Sequence, residues 1–267
     1  MENMAAPATA RRHRRRGTPL AVMVAVLGVT LAACSSGNSA TTSTTGSGAS
    51  SPDRTAMTAV LLRASDFPAG WAETSKPQST SSDAETKKLA QTITACRRFV
   101  VQADVEKKQV NRNSATFADS AMPADSANEA SNQVVGYGTE VQAKTAYAAF
   151  AGSETGTCLQ QVFDKMLNQQ VASLNAQGGP AATVSAQVQR LGVPSAGDAT
   201  TAYQIVVSID VAGTSQQIGF IVQIVRLKQY VVSYNATMYQ AAPDKFGENL
   251  VDRSMARFEA ALGSTGS

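Results

Sequence analysis

Residues 202–239 read AYQIVVSIDVAGTSQQIGFIVQIVRLKQYVVSYNATMY, and this stretch decides the fold. Two runs rich in β-branched residues, Ala202–Ala212 and Gln216–Leu227, flank Gly213-Thr214, the pattern of a hairpin. A third run, Gln229–Tyr239, follows at once, and a period of two puts Tyr230, Val232, Tyr234 and Ala236 on one face. Just upstream, Thr183–Arg190 alternates around Val184, Ala186 and Val188. Downstream, Pro243 stands at the first position of a final helix to about Leu262. Phe246, Leu250, Met255 and Phe258 form its apolar stripe.

The pattern weakens towards the N-terminus but continues. Ala56–Arg63 carries an Ala-Val-Leu-Leu run, Ser65-Asp66-Phe67-Pro68 reads as a turn, and Gly70-Trp71 leads into a short strand. Ser75–Ser82 is polar and reads as loop. Asp83 is a fitting N-cap for a helix to about Lys107, with Leu89, Ile93, Cys96 and Val100 at helical spacing. Short strands are expected at Ser114–Asp119 and Asn128–Gly138. Thr139 caps a helix with Ala143, Ala146, Tyr147 and Phe150 on one face, and Gly156–Ser173 is another, broken by Gly178-Gly179-Pro180. The class is therefore α+β: helices packed on one face of a largely antiparallel sheet. With 267 residues, no repeat and no second linker, residues 55–263 form one domain and 264–267 a tail.

The first 53 residues have a different composition. RRHRRRGTPLAVMVAVLGVTLAACSSG, residues 11–37, sets a basic cluster before an apolar stretch from Pro19 to Ala33. That stretch falls short of the roughly 20 residues a membrane span needs and ends in small side chains, as a secretory signal does. Residues 1–33 are read as that signal. RRRGTPL departs from the twin-arginine pattern, so Sec export is expected. Residues 35–53, SSGNSATTSTTGSGASSPD, hold no apolar side chain larger than alanine. Such a composition cannot offset its ordering entropy, and a coil of this length reaches roughly 25 Å.

Leu31-Ala32-Ala33-Cys34 resembles the lipobox of bacterial lipoproteins. The resemblance implies that the Cys34 thiol takes a diacylglyceryl group with palmitate-type chains, and that a peptidase cuts between Ala33 and Cys34. Residues 34–54 then become a lipidated cysteine and its linker. Two acyl chains anchor durably, since each buried CH₂ contributes about 0.8 kcal/mol. The partner implied is the membrane itself, reached through that lipid, at the extracytoplasmic face of the cell membrane.

Removing residues 1–33 changes the charge balance. They hold five of the 23 Lys and Arg and one of the 20 Asp and Glu. The remainder has 18 basic and 19 acidic side chains, a net charge of −1. His13, the only histidine, leaves with them. Ser-His-Asp and Cys-His catalysis then lack a base, and histidine-built zinc sites are excluded. No G-x-S-x-G, S-x-x-K or Walker loop is present. Neither cofactor nor metal is expected. Nucleic-acid binding is disfavoured by charge and compartment.

Cys96 and Cys158 are the remaining thiols. Outside the cytoplasm such a pair reads as one disulfide, the alternative being two buried free thiols. A loop of about 62 residues closed this way would gain about 4 kcal/mol in the chain-entropy model. Other candidates have plain readings. Asp104 and Glu106 sit among Lys107 and Lys108, and Glu248 and Asp252 form a repulsive pair on the last helix. Asp210 lies beside a turn. Lys87, Lys88, Arg97 and Arg98 make a basic helix stripe, read as a solvated face. Gly136-Tyr137-Gly138 lacks the third glycine of a dinucleotide loop and reads as a strand end. Trp71 reads as a core plug, and Asn235-Ala236-Thr237 as a chance sequon.

LLRASDFPAGW (residues 61–71), the helices bearing Cys96 and Cys158, and the closing strands and helix together resemble a group of actinobacterial exported lipoproteins. These are similar to the extracellular sensor domains of mycobacterial receptor serine/threonine kinases and to PsbP-like lipoproteins. The resemblance spans about residues 55–263. It implies a surface-anchored, non-enzymatic binding or sensor-like domain whose partner is a cell-envelope component or a protein. The kinase sensors carry two disulfides, where this chain can form one. A lipid carrier with an apolar cavity and a carboxylate-based hydrolase are the competing expectations.

Overall fold

The computed structural model describes residues 51–75, 88–97, 109–124, 126–176, 178, 181–239 and 246–264. Eight antiparallel strands form one sheet in the order β1-β3-β4-β8-β7-β6-β5, with β2 also on β4. Their ranges are β1 Trp71–Ser75, β2 Val110–Asn113, β3 Thr116–Asp119, β4 Glu129–Gly136, β5 Ala182–Leu191, β6 Ala199–Val211, β7 Thr214–Leu227 and β8 Tyr230–Met238. Helices fully within the described residues are α1 Arg54–Ala59, α2 Glu140–Ala151, α3 Thr155–Ala176 and α4 Phe246–Ser264. The expected α+β class with an antiparallel sheet is the observed one.

The helices divide between both faces of the sheet, where packing on one face was expected. Alternation along β7 explains this. Val225 and Leu227 join Val232, Tyr234 and Phe258 in a core under α1 and α4. Ile218, Phe220, Val222 and Ile224 point the other way and meet Phe163 and Leu167 of α3 and Ala143 and Ala146 of α2. The continuous apolar character of β7 marks a strand buried on both sides.

Turns sit slightly off the expected positions. The β6–β7 hairpin turns on Ala212-Gly213, not Gly213-Thr214, because Val211 pairs with Thr214. Both turn residues have positive φ, 52° and 82°, as a two-residue type I′ turn requires. Asp210 supports it by accepting from the Gly213 N–H at 3.1 Å. The expected continuous helix of residues 83–107 is interrupted within its described part. Residues 88–91 are helical, Ile93 is extended, and Thr94–Cys96 is a single 3₁₀ turn. The β-branched sequence Thr92-Ile93-Thr94 disfavours helix there. Asp83, Lys107 and Pro243 lie outside the described residues.

The edge strand β5 is closed by a side chain. The Gln160 amide of α3 donates to Ala186 O at 2.6 Å and accepts from Val188 N–H at 2.9 Å, occupying edge groups open to a further strand.

One polar contact set fixes the N-terminal segment. Residues leaving α1 pass between the sheet and α4. From the sheet, Asn132 accepts from Leu62 N–H at 2.9 Å and donates to Val60 O at 2.8 Å. From α4, the Arg257 guanidinium donates to Ala59 O at 3.0 Å and Leu61 O at 3.1 Å. It also grips both carboxylate oxygens of Asp66, which is only 3% exposed. Breaking a buried ion pair from one side leaves an unpaired charge, at about 3–5 kcal/mol. Arg257→Ala should therefore lose roughly that much in urea unfolding, whereas Arg54→Ala, an exposed residue on α1, should change stability by less than about 0.5 kcal/mol.

Candidate functional site

The register of β4 and β8 creates a polar lattice. Directly opposed pairs are Glu129 with Thr237, Ser131 with Asn235, and Gln133 with Ser233. These odd-numbered positions face the α2/α3 side of the sheet. Their even-numbered neighbours Ala130, Val134, Val232 and Tyr234 fill the opposite core. Further along the same face, at Val135 and Val231, α2 and its apolar cluster take over. Asn113, opposite Gln133, and Asn111, opposite Val135, extend the lattice onto β2.

All six side chains on β4 and β8 are at least half-buried, Gln133 to 8% exposure. None of them has a side-chain hydrogen bond to another described residue. Gln109 Oε1, just before β2, and Asn113 Oδ1 at its end are buried without a hydrogen-bond partner among the described residues. Buried polar groups are ordinarily satisfied, so such an array is suited to a ligand that brings hydrogen-bonding groups of its own. Amide and hydroxyl groups supply both donors and acceptors, and Glu129 supplies the one carboxylate. Burial pushes the Glu129 carboxyl above its ordinary range.

Two buried ionisable groups, Asp66 and Tyr234, are committed elsewhere. Asp66 is the most buried carboxylate, but Arg257 and the Arg63 N–H occupy it. Burial raises the Tyr234 phenol, whose oxygen pairs with Ser254 Oγ under α4. Among the described residues no cluster of three His, Cys, Asp or Glu could hold a metal ion. Where the sheet meets α2 and α3, Phe163, Leu167, Phe220 and Ile224 fill the space.

Cys96 and Cys158 are joined, with Cα atoms 4.9 Å apart, in a small cluster with Ile93 and Val162. Beside them lies an open depression of about 560 Å³ lined by Thr92–Ala95, by Glu154, and by Thr157, Gln161 and Lys165 of α3. Lys165 donates to Thr92 Oγ1 across it at 3.2 Å.

The remaining sequence candidates are scattered. Ala33 and Cys34 lie outside the described residues, as do Lys87, Arg98, Asp104, Glu106, Lys107 and Lys108. Lys88 and Arg97 are exposed, as are Glu248 and Asp252 on α4. Gly136 ends β4, and Tyr137 beside it is buried. Trp71 stacks on Phe67 at 5.0 Å and meets Phe246 at 4.8 Å, a plug between the first turn and α4. Asn235 and Thr237, read from sequence only as a sequon, belong to the lattice. The signal that marks them is the alternation of Ser233, Asn235 and Thr237 with Tyr234 and Ala236.

No protein-family model matches the chain, and no curated protein does. Among solved structures it is similar to the extracellular domain of PknH from Mycobacterium tuberculosis. That match is 14% identical, covers 80% of this chain and 100% of that one, and has a TM-score of 0.34. It is also similar to LpqN of Mycobacterium tuberculosis, a protein involved in cell envelope biogenesis. There the identity is 13%, the coverage 72% of this chain and 77% of that one, and the TM-score 0.24. Neither likeness bears on which residues of this chain meet a ligand.

Glu129 gives a test of the lattice's burial. Its folded pKa lies above the unfolded value, so the folded state holds more protons through that window and stability falls as pH rises across it. Glu129→Gln should raise Tm slightly at neutral pH, and the gain should vanish below the ordinary carboxylate range. Thermal unfolding of both proteins across pH checks this; a gain that persists in acid would contradict it.

Proposed function

We propose that this chain is a lipid-anchored extracytoplasmic binding domain without catalytic chemistry, held at the outer face of the cytoplasmic membrane. The observation that carries the binding assignment is the β4–β8 lattice. Six hydrogen-bonding side chains stand in strict register on a rigid sheet, half-buried, with no partners among the described side chains. The location rests on the leader and on Leu31-Ala32-Ala33-Cys34, and the Cys96–Cys158 bridge suits an oxidising compartment. The lipid confines the domain to the membrane surface and the linker lets it search a shell of a few nanometres. The partner is a cell-envelope component or protein with dense hydrogen-bonding groups.

Two variants separate location from binding. Cys34→Ala should leave the leader uncut and the protein without lipid, as read by intact mass and membrane fractionation. Normal maturation of this variant would remove the lipoprotein assignment. Ser131→Ala with Asn235→Ala should mature and fold as wild type does but lose the component captured by crosslinking in intact membranes. An unchanged capture profile would remove the lattice as the binding surface.

A further inference from the structure

The sheet has two distinct ends, and the chain enters at one of them. Pro52 lies against Gly136, the last residue of β4, so closely that a Cβ there would stand 2.5 Å from the proline ring. The Asp53 N–H donates to Tyr230 Oη at 2.8 Å, at the start of β8. Residue 53 is thus fixed to the end of the sheet that holds the β7–β8 turn, Lys228-Gln229. The β6–β7 turn, Ala212-Gly213, marks the opposite end.

Length makes this placement matter. β7 has 14 residues, so the two ends are roughly 45 Å apart. Residues 35–51, between Cys34 and the fixed Pro52, have a composition that corresponds to a reach of roughly 23 Å, well under that separation. A lipid on Cys34 would therefore keep the Lys228 end beside the membrane and the Ala212 end away from it.

The side chains at the Lys228 end fit such a neighbour. Val141, on the first turn of α2, is 71% exposed and is the one exposed large hydrophobic among the described residues. Glu140 beside it reaches Arg226 at 3.5 Å, and Arg226 reaches Lys228 O at 3.5 Å, which places Val141 next to the turn. The carboxylates here are occupied. Asp198 accepts from Arg226 at 2.9 Å and from Lys228 N–H at 2.7 Å, and Glu140 pairs with Lys144 at 3.0 Å. Asp53 caps α1. Exposed Arg54 and Lys228 have no carboxylate partner among the described residues. Lys228 holds a φ of +50°, a conformation that favours glycine, while presenting a long cation to solvent. A hydrophobic side chain next to the turn of Lys228, with Arg54 at the same end on the other face of the sheet, suits the interface of an anionic bilayer.

We infer that this end of the domain, formed by Arg54, Val141, Lys144 and Lys228, rests on the anionic lipid surface that carries the chain's own anchor. The inference relies on the lipid anchor proposed above and adds an orientation to it. In the register with β7, Asn235 stands beside Val222 and Thr237 beside Phe220, so the lattice rows at Ser131–Asn235 and Glu129–Thr237 lie about midway along the sheet, roughly 17–23 Å from the Lys228 end.

Photocrosslinking in full-length, lipidated protein in its own membranes tests this. A photoreactive phenylalanine analogue would be placed singly at Val141, Lys228 and the exposed Ser215 near the opposite turn. Lipid adducts, read by mass spectrometry, should be at least fivefold more abundant at 141 and 228 than at 215. Arg54→Glu with Lys228→Glu should cut the adducts at 141 severalfold without changing the membrane-bound fraction. Equal adducts at all three positions, or more at 215, would overturn the orientation while the lipid on Cys34, read in the same spectra, stands. A mature chain lacking that lipid would overturn the anchor and the orientation with it.

Discussion

Arg257 holds this domain together at the point where its sequence is least regular. The chain between α1 and β1 has no ladder of its own, yet its Val60, Leu62, Asp66 and Phe67 are buried. Its carbonyls at Ala59 and Leu61 would be orphaned without the guanidinium, and the Asp66 carboxylate would be a buried unpaired charge. Asn132 performs the same service from the sheet side. The strand carrying Asn132 also carries three lattice residues on its other face, so the clamp and the candidate site share one rigid support. The covering helix closes from above through Tyr234 and Ser254, a buried hydroxyl pair. The apolar core alone, Met57, Val134, Val225 and Phe258, would bury area without choosing a register. Hydrogen bonds at fixed carbonyls choose it.

The two faces of the sheet do different work because the strands differ in length. β6 and β7 are long and buried on both sides over their central residues, and they carry α2 and α3. β4 and β8 are shorter and sit under α1 and α4 on one face only. Their other face is therefore free to be polar beyond the reach of α2. That asymmetry, apolar at Val135 and Val231 and polar from Gln133 and Ser233 onward, is what distinguishes the lattice from an ordinary wet sheet face.

Much of this is legible in the sequence. β5 to β8 announced themselves because β-branched alternation is strongest where one or both faces are buried, and the stripe of α4 followed from Phe246, Leu250, Met255 and Phe258. β2 was missed because Val110-Asn111-Arg112-Asn113 has little β propensity and is a strand only by pairing with β4. The hairpin turns one residue before Gly213-Thr214 because Ala212 takes a φ of 52°, a conformation alanine rarely adopts. The split of the helices between faces is absent from any single element's pattern. It appears only when the two parities of β7 are assigned to different neighbours. The lattice escaped for a similar reason: Glu129, Ser131 and Gln133 become a site only through a register with β8 that lies a hundred residues away.

That register also constrains what such a surface can hold. Opposed residues on neighbouring strands stand about 5 Å apart, and successive rows along a strand lie about 7 Å apart. A β-sheet cannot adjust these spacings without breaking ladder bonds, so the lattice offers fixed points rather than an adaptable loop. A ligand matching it needs hydrogen-bonding groups at the same repeat, and a stiff one loses less freedom on binding than a flexible chain. The lattice has a single carboxylate among its amide and hydroxyl groups, so hydrogen bonding rather than charge attraction holds an occupant. Selectivity would arise instead from the penalty of leaving Ser131, Gln133 or Asn235 half-buried and unmatched against any group that cannot pair with them.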